Sequence, residues 1–138
     1  MPAARRPLVI LLIGVGLLAV AGVVAMLLLV PPKGGGSGDP LVDRGESIYR
    51  VRCMSCHATT TASGIGPGLA GLYQPGGPVL PSGVDYGGKL PNGEPITDEA
   101  LGAFIRQGGS FQIGTMVGVP ITDEELRALI AYMRTLEK

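Results

Sequence analysis

The sequence predicts an all-α protein, a small domain of three main helices set behind an N-terminal transmembrane helix. Three observations carry this expectation. Residues 8–30 run without a charge. Residues 40–53 and 122–136 each repeat apolar side chains at helical spacing. A third, shorter helical pattern starts at Thr97-Asp98, and no strand-rich segment surrounds the cysteines between these helices. At 138 residues the chain has room for one ordinary domain.

The uncharged run comes first. As a helix rising about 1.5 Å per residue it spans roughly 34 Å, enough to cross a hydrocarbon core of about 30 Å. A cleavable signal peptide is the rival reading, because Arg5 and Arg6 make a basic start and Ala19-Val20-Ala21 has the small residues of a cleavage site. Cutting after Ala21 would strand an apolar tail, residues 22–30, that so small a domain has no means to bury. The expectation is therefore a retained single-pass anchor in the cell membrane. By the positive-inside tendency residues 1–7 lie in the cytoplasm and everything after residue 30 on the extracytoplasmic, periplasmic side. Residues 31–39 are proline- and glycine-rich, which is the composition of a flexible linker. The domain proper is residues 40–138.

All eleven acidic residues fall from Asp39 onward, against eight basic ones, for a net charge of about −3. That balance disfavours nucleic acid and suits a protein partner.

Residues 40–53 form the first amphipathic helix. Leu41, Gly45, Ile48, Tyr49 and Arg52 share one stripe that leads to the first cysteine. Gly45 interrupts it, at about 1 kcal/mol relative to alanine, and a glycine there permits close approach of another helix. The two cysteines stand in Cys53-Met54-Ser55-Cys56-His57. This is the spacing of covalent c-type haem attachment. Each thiol adds across one haem vinyl group, and the adjacent imidazole is offered to the iron as proximal ligand. Three rivals fare worse. A disulfide closing so short a loop constrains little chain entropy. A thioredoxin-like pair wants alternating strands and helices. A zinc site lacks a third cysteine or a second histidine.

Residues 97–107 place Leu101, Phe104 and Ile105 on one helix, ending at Gly108-Gly109. The final helix opens with a capping box, Thr122 with Glu125, and carries Leu126, Leu129, Ile130, Met133 and Leu136 at helical spacing. Its Tyr132 stands where an aromatic ring packs against the gap left by Gly45.

With these residues in hand, residues 39–138 resemble a class I cytochrome c. The match rests on Gly45 and Tyr49, the Cys53 to His57 motif, the Gly66-Pro67-Gly68-Leu69 turn, and Leu129 with Tyr132. The resemblance implies a small cytochrome c fold, three main helices and a short turn of helix around one covalently bound haem c. It implies that the first and last helices cross at the glycine and aromatic contact, and that the Pro67 carbonyl steadies His57. It also implies a distal methionine. Met1 and Met26 belong to the start and the span, Met54 lies inside the motif, and Met133 sits on a core stripe. Met116 remains, in the glycine-rich loop of residues 108–120. Here the sequence departs from the family, which commonly has proline directly after the methionine; this chain has Val117, with proline only at Pro120. The competing reading leaves the iron five-coordinate, with Met116 only filling a gap.

Residues 74–95 are rich in glycine and proline, with Tyr86 and Lys89 the only evident handles. A loop that long is often functional. The function expected is electron transfer in a respiratory or photosynthetic chain, with His57 and Met116 on the iron and no catalytic residues. The alternative is a haem enzyme or gas sensor with an open distal site. Partners are the membrane and redox proteins, among them a quinol-oxidising complex of the alternative complex III type or a terminal oxidase. A tethered shuttle and a fixed subunit stay equally open.

Overall fold

The computed structural model describes residues 13–20, 22 and 36–137. Residues 13–20 are helical. The expected transmembrane run, residues 8–30, lies for the most part outside the described residues, as does residues 31–35 of the expected linker. Among the described residues no helix is long and apolar enough to cross a membrane.

From Gly36 onward the chain forms one compact unit. Its first helix, α1, spans Pro40–Arg52. Asp39 caps it by accepting the Leu41 N–H at 2.8 Å, and Pro40 occupies the first turn, where its missing N–H costs nothing. The segment before the cap is also held, since the Ser37 N–H donates to Asp43 Oδ1 at 2.7 Å. Helix α2 spans Asp98–Gln107 with Thr97 as cap. Helix α3 spans Asp123–Met133. The capping box expected there forms in both directions. Glu125 N–H donates to Thr122 Oγ1 at 3.2 Å, and Thr122 N–H to Glu125 Oε2 at 3.0 Å. That backbone hydrogen bond from Thr122 holds the Glu125 carboxyl below its ordinary pKa, with Arg52 and Arg44 adding to the effect.

One part of the all-α expectation is corrected. Residues expected as a loop contain two short antiparallel strands, β1 (Gly108–Phe111) and β2 (Gly114–Val117), with Gly109 opposite Met116 and Ser110 opposite Thr115. Gly108, at φ 63°, ends α2 in a conformation that turns the chain into the first strand. The ladder is reinforced by the Ser110 and Thr115 hydroxyls, 3.0 Å apart. The exit of the hairpin returns to α2, where the Val119 N–H donates to the Ile105 carbonyl at 2.9 Å.

Helices α1 and α3 meet at Gly45. A Cβ there would overlap the Ala128 carbonyl of α3 and lie 2.7 Å from Tyr132 Cβ. The Tyr49 and Tyr132 rings stack tilted beside this point, with centroids 5.4 Å apart. Tyr49 and Leu129 are the largest fully buried side chains. The residues after the cysteine motif are tied to the same frame. Tyr73 donates to Asp98 Oδ1 at 2.8 Å, Arg134 pairs with that carboxylate at 2.6 Å, and its guanidinium lies 4.3 Å from the Tyr73 ring centre. Burial, then the Asp98 hydrogen bond, push the Tyr73 pKa well up.

Backbone cannot yield to a methyl group as a side chain can, so Gly45→Ala should lower unfolding free energy by about 1–3 kcal/mol. Ser47→Ala, at an exposed position of the same helix, should stay within roughly 0.5 kcal/mol of the parent. Denaturant titration of both variants checks this, and equal midpoints would mean the crossing is looser than the contact indicates.

Candidate functional site: a haem pocket

Helix α1 ends at Arg52 and its last turn continues into the motif. Cys53 is the C-cap, its N–H donating to the Tyr49 carbonyl at 2.8 Å. The Cys56 and His57 N–H groups both donate to the Cys53 carbonyl, at 3.0 and 2.9 Å. The motif is thus a tight coil that keeps both sulfurs and the imidazole close to the helix end. Tyr49 completes it from below, its hydroxyl donating to the His57 carbonyl. Burial pushes the Cys53 thiol pKa up, the opposite of what a reactive redox thiolate requires.

His57 is half-buried, and its Nδ1 lies 2.9 Å from the Pro67 carbonyl. A carbonyl only accepts, so Nδ1 carries the proton and Nε2 keeps its lone pair. The Gly66-Pro67 backbone runs close against the ring. A Cβ on Gly66 would sit 2.5 Å from His57 Cε1 and 2.8 Å from Nδ1. Gly68 is equally confined, and the Leu69 N–H donates to the Ala58 carbonyl at 2.9 Å, which fixes the turn.

Met116 comes from β2. In that strand it is the half-buried residue between exposed Thr115 and exposed Val117, as period-two alternation requires. Its side chain packs against the core. The hairpin exit is held by two arginines. Arg52 donates to the Pro120 carbonyl and pairs with Glu125 at 3.5 Å. Arg106 donates to the Ile121 carbonyl at 3.3 Å and pairs with Asp123 at 2.5 Å.

These residues line a single cavity of about 610 Å³. Cys53, Cys56, His57, Pro67 and Met116 all contribute to its wall, as do Tyr86 and Lys89 from the long loop. The rest is largely apolar, with the core residues Leu69, Leu72, Leu101, Phe104 and Met133 facing it. Met133 is therefore both core and wall. Its place on the helical stripe of α3 was legible, but its second role depends on where the cavity falls.

Residues 40–133 match the protein family described as cytochrome C oxidase, cbb3-type, subunit III. The chain belongs to this family. No curated protein matches it. The domain is accordingly a c-type cytochrome that transfers electrons, and it carries covalently attached haem c with its iron; Cys53 and Cys56 fit the attachment motif. The residues fit the group on their own chemistry. The cavity is apolar and concave like most cofactor sites, two thiols stand at the required spacing, and an imidazole beside them has its second nitrogen satisfied. Tyr86 also lines this wall, and its Oη is buried without a hydrogen-bond partner among the described residues.

Sequence reasoning missed four features here. The Tyr49 hydroxyl contact, the clamp from Arg52 and Arg106, the strand pairing and the identity of the loop wall all depend on tertiary placement. Tyr49 and Arg52, on the α1 stripe, and Tyr86 and Lys89, the handles of residues 74–95, left a trace in the sequence, but not their contacts.

The close passage of Gly66 yields a direct test of how His57 is oriented. Gly66→Ala should push the ring away from the Pro67 carbonyl. In protein labelled with ¹⁵N-histidine, the parent should show a slowly exchanging Nδ1 proton and the variant should lose that protection. Unchanged exchange in Gly66→Ala would mean the bond does not hold the ring.

Proposed function

We propose that this chain is a membrane-tethered electron-transfer subunit of a terminal oxidase, with His57 and Met116 as the axial ligands of its haem. The family match over residues 40–133 is the observation that carries the oxidase association. The haem iron supplies a one-electron ferrous and ferric couple, and methionine with histidine is a ligand pair that raises its potential.

The protein's share of the work is positioning. The Nδ1 bond to Pro67 presents Nε2 to the cavity in one tautomer. Met116 is supported by three facts: it lines the same cavity as His57, it is the inward residue of β2, and both ends of its hairpin are tied to α2. The strand also accounts for Val117. A proline at that position would bring no N–H to the ladder beside Gly108, whereas valine suits a strand. With both axial positions taken, the domain has no open coordination site, which argues for a carrier over a gas sensor or haem enzyme.

The tether is inferred from residues 8–30. The described part of that run, residues 13–20 and 22, is helical, and Ile13, Leu17 and Leu18 expose their apolar side chains. Arg5 and Arg6 ahead of the run favour a haem domain on the periplasmic side. A retained span keeps the domain at the membrane surface, where an integral oxidase is within reach.

Two experiments test the reading. Met116→Ala should leave the covalent haem intact while lowering the reduction potential and opening the iron to carbon monoxide. Met133→Ala should keep the methionine-to-iron charge-transfer band and lose on the order of 2–5 kcal/mol of stability. The reverse pattern would move the distal ligand to Met133. For the assembly, extraction of membranes in mild detergent should bring the haem protein down with the other oxidase subunits. Migration alone, at full haem content, would favour a free shuttle.

A further inference from the structure

Residues 118–122 connect β2 to α3, and three successive ones are tied to other elements. The Val119 N–H donates to the Ile105 carbonyl of α2 at 2.9 Å. The Pro120 carbonyl accepts from Arg52, the last residue of α1. The Ile121 carbonyl accepts from Arg106 of α2 at 3.3 Å. Proline has no N–H, so its carbonyl is the only backbone group Pro120 can offer. Gly118 lets the connection run hard against the end of α2, where a Cβ would overlap the Arg106 carbonyl.

Each of the two arginines is fixed at a second point. Arg52 pairs with Glu125 at 3.5 Å, and that carboxylate is itself held by the Thr122 N–H at 3.0 Å. Arg106 pairs with Asp123 at 2.5 Å. The Glu125 side chain is 26% exposed and that of Asp123 87%, so water and salt weaken the second pair more. A third pair, Arg44 with Glu124, joins the same helices α1 and α3, but Arg44 makes no bond to the connection among the described residues. Exposed ion pairs contribute little stability as such. What these two arginines limit is the motion of a short segment. Met116 is the next-to-last residue of β2 and pairs with Gly109, so its side chain cannot withdraw from the cavity without moving a strand whose exit is pinned.

We propose that Arg52 and Arg106 are positioning residues for the distal ligand, pinning residues 119–121 so that together they set how often Met116 leaves the haem iron. The inference rests on Met116 as the axial ligand. Arg52 carries the larger share, because its carboxylate partner is the better covered and because it directly precedes Cys53, so one side chain joins the methionine arm to the helix end that bears the thiols. Access of small ligands to the iron of a carrier is thereby governed by two side chains that do not bind the iron.

The test mixes the ferric, covalently loaded protein with cyanide, which binds the iron only once the methionine has left. Arg52→Gln should take up cyanide roughly tenfold faster than the parent, the order expected when a hydrogen bond from a charged group is lost, and Arg106→Gln should be faster by a smaller factor. Both should keep the covalent haem mass and the methionine-to-iron band before cyanide is added, and both should show quicker amide exchange at Val119. Arg52→Lys keeps the charge and one donor, and should fall between the parent and Arg52→Gln. Arg44→Gln removes an ion pair between the same helices and should match the parent in both readouts. Parent-like uptake in both Arg52→Gln and Arg106→Gln, or an equal acceleration in Arg44→Gln, would overturn the proposal. Should Arg52→Gln fail to accumulate, Arg106→Gln, whose position is off the cavity wall, decides alone. Retention of the methionine-to-iron band in Met116→Ala would instead refute the ligand assignment, and Val119 exchange would still read the clamp, which keeps the two failures apart.

Discussion

The backbone of Gly45 lies against the Ala128 carbonyl, and the placement of the haem-binding residues follows from that contact. With no side chain between them, α1 and α3 approach closely enough for Tyr49 to be fully buried at the crossing. Tyr49 then does two things at the end of α1. Its carbonyl receives the Cys53 N–H, which caps the helix, and its hydroxyl reaches the carbonyl of His57. One side chain therefore carries the geometry of the helix crossing directly to the haem motif. Burial, reinforced by Tyr132 and Cys53 nearby, raises the Tyr49 pKa, so the phenol stays a donor across the physiological range.

On the other wall the same need is met differently. Helices cannot offer Met116 from a fixed height above the motif, because the chain between α2 and α3 is short and glycine-rich. Pairing the two arms as strands replaces the missing side-chain packing with backbone hydrogen bonds. Strand alternation then decides which side chain turns inward, and a register slip of one residue would present Thr115 or Val117 in place of Met116. The arginines at the exit act against such slippage. Arg52 belongs to the turn before Cys53, so its bond to the Pro120 carbonyl ties the methionine arm to the helix that carries the thiols.

Much of this was legible in the sequence wherever the chemistry is local. A Thr-Asp-Glu-Glu start specifies its own capping box within four residues, and a glycine in an apolar stripe marks the face that a second helix approaches; both appear as expected. The hairpin was not legible. Residues 108–118 contain four glycines, and composition of that kind reads as loop because strand propensity is mostly packing against neighbours. Here those neighbours lie outside the hairpin, as the packing of Phe111 on Phe104 of α2, with 5.2 Å between ring centres, and the bond from Gln112 to the Gly83 carbonyl illustrate. Residues 74–95 were opaque for a related reason. Their turns depend on glycines at positive φ, including Gly76, Gly77, Gly83, Gly87 and Gly88, and the pattern has no periodicity to recognise.

A carrier gains from a site whose atoms move little when the electron arrives, since any rearrangement adds to the barrier. The pocket is arranged to that end. Part of its wall, including Leu72, Leu101, Phe104, Ile105 and Met133, consists of core side chains that cannot shift without opening the interior. The imidazole is restrained at Nδ1, the motif backbone at the N–H groups of Cys53, Met54, Cys56 and His57, and the methionine strand at both ends. Around the mouth the restraint relaxes. Ile65 and Val117 line the cavity yet remain 77% and 80% exposed, so the interior continues outward as an apolar rim. An apolar rim sheds water at little cost when a partner covers it, and an electron can then cross a short, dry gap between two rigid sites. The packed wall and the exposed rim thus suit two different demands of electron transfer, a surround that moves little and a surface through which the centre can be approached.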